Sequence, residues 1–228
     1  MFTLDGTIQA RRDLNLHLAS PVKLSPASRV VEQIVAPGRE GTLTREQGWN
    51  DRVITLDLII RSSDVMGAWC KAVVALTNAQ RIAFRHDTDV FYQLKSATLA
   101  ELVRVSPMMG QFQATFTCDP FVYLTKANRI VLTKSGNITN PGNAVARPVF
   151  TVYGSGRVFF ETNGYRVDLK IDFDQLTVDS ALLECRKGNV AQNQNMTGPF
   201  PTIRPGKSYV QLGPGISQLV IEPRWRNQ

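Results

Sequence analysis

The last 36 residues, Asn193 to Gln228, carry a proline or glycine at almost every point where one short element could pass into the next. Pro199 and Pro201 push Gly198 and Phe200 out of the helical region, so this run crosses a surface extended. Pro205-Gly206 suits the two central positions of a type II turn, where glycine supplies the positive φ. A short strand is expected over Ser208–Leu212, a turn at Gly213-Pro214-Gly215, and an apolar strand from Ile216 to Glu222 that Pro223 stops. Arg224-Trp225-Arg226 remains as a short tail. No catalytic group is prominent, and the segment is built to hold a shape.

The rest of the chain follows the same β pattern. In Arg52–Arg61, Ile54, Leu56, Leu58 and Ile60 share one face at period 2. In Gln111–Cys118, Phe112, Ala114, Phe116 and Cys118 face one way and Gln111, Gln113, Thr115 and Thr117 the other. Gln80–Arg85 and Val90–Leu94 flank His86-Asp87-Thr88-Asp89, a hairpin turn. Another strand is expected from Ser96 to Ser106, turning at Met108-Met109-Gly110. One helix interrupts the series: Asp64 or Ser63 is the expected N-cap, and Val65, Trp69, Ala72, Val73 and Leu76 recur at helical spacing as far as Asn78.

Pro120 cannot sit inside a paired central strand, which places the end of a first block at Cys118–Tyr123 and a boundary near Lys126. Beyond it, strands are expected over Arg129–Lys134, Pro148–Tyr153, Gln175–Asp179 and Leu182–Cys185. A break falls at Gly154-Ser155-Gly156, and Ile138–Asn143 reads as a turn-rich connector. Val158–Glu161 and Tyr165–Ile171 are joined through Thr162-Asn163-Gly164, the strongest short-range hairpin signal in the chain. The fold class is therefore mostly β. Residues 1–126 form a β-barrel or sheet with one α-helix laid against it, and residues 127–228 a β-sandwich of jelly-roll type.

Composition bounds the function. At 228 residues, 43% hydrophobic and 20% charged, the chain can bury a core in each of two ordinary domains. No apolar run approaches the roughly 18 residues that cross a bilayer. The N-terminus lacks the uninterrupted apolar core of a signal peptide, so folding in a cytoplasm without membrane insertion is expected. Cys70, Cys118 and Cys185 are odd in number and widely spaced, and read as buried free thiols rather than a disulfide framework. Residues 1–126 hold 14 basic and 12 acidic groups and residues 127–228 hold 12 and 7. These charges are scattered singly, whereas a nucleic-acid face clusters its Lys and Arg.

Chemistry-bearing constellations are sparse. His86 lies beside Asp87 and Asp89, but neighbours in a tight turn rarely converge on one ion, and His17 sits in an alternating strand. Gly154-Ser155-Gly156 is not a nucleophile elbow. Asp168 and Asp172 share strand parity, yet acidic residues on the outer face of a sandwich explain them better than a glycosidase pair. No phosphate loop, dinucleotide fingerprint, C-x-x-C or EF-hand is present. The reading is a protein that is not an enzyme and carries no cofactor or metal.

Two features point to partners instead. Trp49, Trp69, Trp225, Tyr165 and Tyr209 could stack on sugars, but Trp69 belongs to the helix stripe, and Trp49 and Trp225 lie in polar surroundings at element ends, where aromatic side chains anchor protein contacts. Ala36–Asp51 is a connection of about 16 residues, far longer than a hairpin loop of two to five. Mixed from Gly, Arg, Glu and one Trp, it reads either as a mobile surface loop or, the reading favoured, as an extended arm reaching a neighbouring chain.

The order of these pieces resembles the distal tail proteins of long, non-contractile-tailed bacteriophages. In the first block the likeness rests on Pro37-Gly38-Arg39-Glu40-Gly41 after an apolar strand, on strand–helix–strand order from Arg52 to Arg85, and on Asp119-Pro120-Phe121. In the second it rests on Asn140-Pro141-Gly142-Asn143, Arg147-Pro148, Tyr153-Gly154-Ser155-Gly156, Gly198-Pro199-Phe200-Pro201, Pro205-Gly206 and Pro223-Arg224-Trp225-Arg226. The resemblance implies a tail-tube-like first domain in a hexameric ring around the tail channel. Pro37, Gly38, Arg39, Glu40, Gly41, Arg45 and Trp49 would belong to an arm lapping onto the adjacent subunit. It also implies a galectin-like sandwich on the ring's outside, with Tyr209, Arg224, Trp225 and Arg226 as docking candidates. The expected partners are the chain itself, the tail-tube protein, the tail-tip protein, and receptor-binding or other baseplate proteins, with phage DNA met only in transit. The expected place is the virion tail tip, assembled in the host cytoplasm. No large insertion separates the sandwich strands, so the extra carbohydrate-binding module of longer relatives is not expected. The alternative is that the sandwich itself binds carbohydrate at the host surface.

Overall fold

The computed structural model describes every residue except Phe173. The chain divides into two compact units, Met1–Val122 together with Gln228, and Tyr123–Asn227. The division falls inside a strand, Met109–Leu124, that continues through Pro120. This corrects the expectation that Pro120 ends the strand. Its pairing with Arg52–Arg61 runs from Met109↔Arg61 to Cys118↔Arg52, so the proline lies beyond that ladder, where its missing N–H costs no bond to it.

In the first unit, strands Phe2–Leu4, Ile8–Gln9, Leu16–Leu18, Arg52–Arg61, Arg81–Phe84, Val90–Leu99 and Met109–Leu124 form one antiparallel sheet with short strands at both edges. The alternation of Arg52–Arg61 is realised in full: Ile54, Leu56, Leu58 and Ile60 are buried, and Phe112, Ala114, Phe116 and Cys118 lie buried on the neighbouring strand. The helix spans Val65–Asn78, and the Asp64 carboxylate caps it by accepting from the Gly67 N–H at 2.8 Å. Val65, Ala68, Ala72 and Leu76 bury its inner face, and Trp69 meets the Phe112 ring edge-on at 4.5 Å. Cys70 falls on the outer face and is exposed, contrary to the buried thiol expected, whereas Cys118 and Cys185 are buried.

A second helix, Ala10–Leu14, was not expected. It is too short to show helical periodicity, and a left-handed Asn15 ends it at φ 55°. The strand expected from Ser96 to Ser106 is two, Val90–Leu99 and Val103–Ser106.

The second unit is a two-sheet sandwich. One sheet orders its strands Ile130–Leu132, Ile216–Glu222, Val149–Gly154, Gln175–Asp179, Glu184–Lys187 and Val190–Ala191. The other orders Gly136–Asn140, Gly206–Leu212, Gly156–Thr162, Tyr165–Ile171 and Met196–Thr197. Side chains of both sheets share one core, where the Phe150 and Phe160 rings lie 5.1 Å apart. Asn163 and Gly164 both take positive φ, 52° and 79°, the signature of a type I′ turn, and close Thr162 onto Tyr165. Gly206 sits at φ 85°, as a type II turn at Pro205-Gly206 requires. The connector expected at Ile138–Asn143 is instead partly a strand, because Gly136–Asn140 pairs with Gly206–Val210.

Candidate assembly and docking surfaces

Half of the segment expected as a 16-residue loop is strand, Thr42–Trp49. Arg29–Val35 and Thr42–Trp49 form a two-stranded antiparallel ribbon that pairs with no other strand among the described residues, leaving only 36–41 as its tip. Both faces of the ribbon are exposed, so no burial alternation marks Thr42–Trp49 as a strand in the sequence. Pro37, Gly38, Arg39, Glu40 and Gly41 occupy the exposed tip, with Gly38 and Gly41 at φ 80° and 76°. Arg45 lies along the ribbon opposite Glu32. Ile34 stands directly across from Leu43, and both remain 40% exposed, while Val35 is 77% exposed.

Trp49 is at the foot of the ribbon. It packs edge-on against Phe121 at 6.0 Å, and the Arg29 guanidinium stacks over it at 4.7 Å. Arg29 also pairs with Glu46, and Asn50 donates from its backbone to Ser28 at 2.8 Å. These contacts are local to the chain, so Trp49 roots the ribbon rather than projecting from it.

The four docking candidates of the second unit separate. Tyr209 is 55% exposed on the outer face of the Gly206–Leu212 strand. Trp225 is only 4% exposed and belongs to the sandwich core, which corrects its reading as a contact residue. Arg224 takes a left-handed backbone, φ 50°, between Pro223 and the Arg226–Asn227 strand, and the chain there carries Trp225 into the core while Arg224 and Arg226 stay partly exposed. Arg224 is committed to a bidentate bond with Asp179, donating to Oδ1 at 2.8 Å and to Oδ2 at 2.9 Å. Asp179 has no exposed surface and also accepts from the backbone N–H groups of Ala181 and Leu182. Burial pushes its carboxyl up, but the Arg224 bonds and the two backbone bonds outweigh burial and hold it below its ordinary value. The Arg226 guanidinium donates to the Val145 carbonyl at 2.7 Å. The tail is thus a clasp closing the sandwich.

Register extends the Tyr209 face across the sheet. Tyr209 lies opposite Asn137, Gln211 opposite Glu161, Glu161 opposite Arg166, Phe159 opposite Asp168, and Arg157 opposite Lys170. Their neighbours Val158, Phe160, Val167, Leu169 and Val210 point into the core. Asp168 accepts from Arg166 at 3.0 Å, and Asp172 meets Lys170 at 3.4 Å, so these carboxylates are held in surface ion pairs. The Arg166 guanidinium covers the Phe159 ring at 3.9 Å. A groove of about 610 Å³ runs along this face between Arg157, Phe159, Arg166, Asp168, Lys170 and Thr197. The sequence reading missed it, though the Asn163-Gly164 turn alone fixes which residues stand opposite.

His17 is half-buried, and burial followed by Arg11 and Arg61 lowers its pKa; His86 lies in an exposed turn. Among the described residues no three His, Cys, Asp or Glu side chains gather closely enough to hold a metal ion.

No family model matches the sequence, and no curated protein matches it. Solved structures do. The crystal structure of the phage SPP1 Dit protein (gp 19.1), described as a paradigm of the hub adsorption apparatus in phages infecting Gram-positive bacteria, aligns over 96% of each chain with a TM-score of 0.65 at 16% identity. The phage P2 baseplate in its activated conformation with Ca aligns over 94% of this chain and 91% of its own at a TM-score of 0.46 and 8% identity. Over almost its whole length, then, the chain is folded as the SPP1 Dit hub protein is, and the resemblance to siphophage distal tail proteins holds at the level of the fold.

Proposed function

We propose that the chain is a structural hub of the phage tail tip, a distal tail protein that closes a hexameric ring with copies of itself and joins the tail tube to the tip and baseplate. The observation that carries this reading is the shared fold with SPP1 Dit across both units. The ribbon supports it independently. A two-stranded hairpin is marginal in water by itself, and this one exposes Val31, Ile34, Val35 and Leu43. Both its backbone edges are open to strand addition, so lapping onto an adjacent subunit covers apolar surface and unpaired amides together. Ring closure requires one patch to meet a different patch, which an arm and its receiving surface provide.

In this reading the first unit forms the ring and meets the tail-tube protein and the tail-tip protein. The sandwich is the peripheral platform for receptor-binding or other baseplate proteins, and DNA passes through the channel in transit. The work is assembly at the virion tail tip, and no step of it needs catalysis. Light scattering and negative-stain electron microscopy of the purified chain, alone and with tail-tube protein, test the proposal. Rings are the expected result; a strictly monomeric particle at high concentration, with no ring beside tail-tube protein, overturns it. Removing residues 38–48 is expected to leave a folded monomer that no longer closes rings.

A further inference from the structure

The outer face of the Gly206–Leu212/Gly156–Thr162/Tyr165–Ile171 sheet contains a charge arrangement that internal pairing does not explain. Arg157 stands directly across the ladder from Lys170. Like charges directly opposite on a sheet face are destabilising. Lys170 is relieved only by Asp172, at 3.4 Å and exposed to solvent. Arg157 has no carboxylate within ion-pair distance among the described residues. The one carboxylate between them on the neighbouring row, Asp168, is already taken bidentately by Arg166. At its Arg157–Lys170 end the groove therefore holds two cations against one nearby carboxylate, Asp172, with Arg157 unanswered. Phe159 lies in the groove beneath the Arg166 guanidinium.

We propose that this groove is where the platform takes a partner protein, by an extended acidic segment whose carboxylates pair with Arg157 and Lys170. The proposal rests on the reading of the sandwich as a docking platform and names the face and the chemistry of what docks. Charge complementarity selects this occupant. A neutral glycan would need a free aromatic face, and the Phe159 face is covered by the Arg166 guanidinium. An acidic peptide needs donors: Arg157 has no carboxylate partner among the described residues, and Lys170 has only the solvent-exposed Asp172. Tyr209 lies on the same face, two strands away from the groove's Arg166 end, and extends the surface beyond it.

The test uses the full chain and a defined probe, a fluorescein-labelled ten-residue peptide of alternating Asp and Gly, followed by anisotropy at low salt. The same peptide with Asn for Asp is the control. Saturable binding of the Asp peptide and none of the Asn peptide is expected, weakened about three- to fivefold by Arg157→Gln or by Lys170→Gln, as for exposed charge pairs. Arg104→Gln removes the same charge from the first unit and is expected to change binding less than about twofold. Because Arg157→Gln also removes the cross-strand repulsion, its melting temperature is expected to equal or exceed that of the parent chain. That outcome separates a binding role from a structural one. Equal weakening by Arg104→Gln, no binding of the Asp peptide, or tighter binding of an oligogalacturonate through the same two residues each overturns the proposal. Electron microscopy of the same samples keeps the two readings apart. Rings without peptide binding refute the acidic segment alone, and peptide binding without rings refutes the hub alone.

Discussion

Replacing Arg224 by alanine tests the C-terminal clasp directly. Alanine keeps a Cβ, so the cost of the positive φ at this position, 50°, is common to both chains and the comparison isolates the guanidinium. The loss leaves the Asp179 carboxylate with no exposed surface and only the Ala181 and Leu182 N–H groups as partners. Removing one member of a fully buried pair costs about 3–5 kcal/mol. Here the Arg224 side chain is 38% exposed, so water already screens part of the attraction, and about 2 kcal/mol is the better figure. For a unit of this size that corresponds to a fall in melting temperature of about 10 °C. Asp179→Asn is expected to cost less, because an orphaned Arg224 can turn to water and an orphaned Asp179 cannot. The pH dependence carries a sign. Asp179 has a folded pKa below its unfolded value, so its contribution is complete above about pH 4 and is lost as pH falls through the folded pKa. Arg224→Ala removes the guanidinium's share of that depression, so the variant loses less stability on acidification than the parent. Calorimetric scans of both chains from pH 7 to pH 3 are expected to show a gap that is widest at pH 7 and closes toward pH 3. A variant melting within about 2 °C of the parent at pH 7, or Asp179→Asn proving the more damaging change, refutes the clasp.

Three further outcomes follow from packing and exposure. Trp225→Ala is expected to destabilise the second unit by about 3–5 kcal/mol in urea titration, where a surface contact residue would change it by less than about 0.5 kcal/mol. Gly142→Ala is expected to cost about 1–3 kcal/mol, since a Cβ there runs into the backbone carbonyl of Arg226 rather than a yielding side chain. Native protein treated with a thiol reagent at pH 8 is expected to titrate Cys70 alone, because burial pushes Cys118 up to about 12 and Cys185 up to about 11; denaturant releases all three.

What the sequence shows plainly is the long strands with one wet face and one dry face. Arg52–Arg61 and Gln111–Cys118 alternate because a packed core demands it of one side chain in two. The ribbon escapes that logic: Thr42–Trp49 has water on both faces, so its sequence carries no burial rhythm and resembles a loop. Pairing with Arg29–Val35, a contact between segments, is what makes it a strand. Trp225 misleads for another reason. Its arginine neighbours suggest a wet surface, but the left-handed turn at Arg224, φ 50°, is invisible in the sequence and carries the tryptophan inside. Hairpin register does recover the groove. Asn163-Gly164 at the centre of a two-residue turn sets Thr162 opposite Tyr165, and stepping outward from that pair brings Arg157 opposite Lys170. The charge conflict at that position was therefore present in the sequence. That Arg157 goes unanswered, which depends on where Asp168 and Asp172 are spent, required the folded chain.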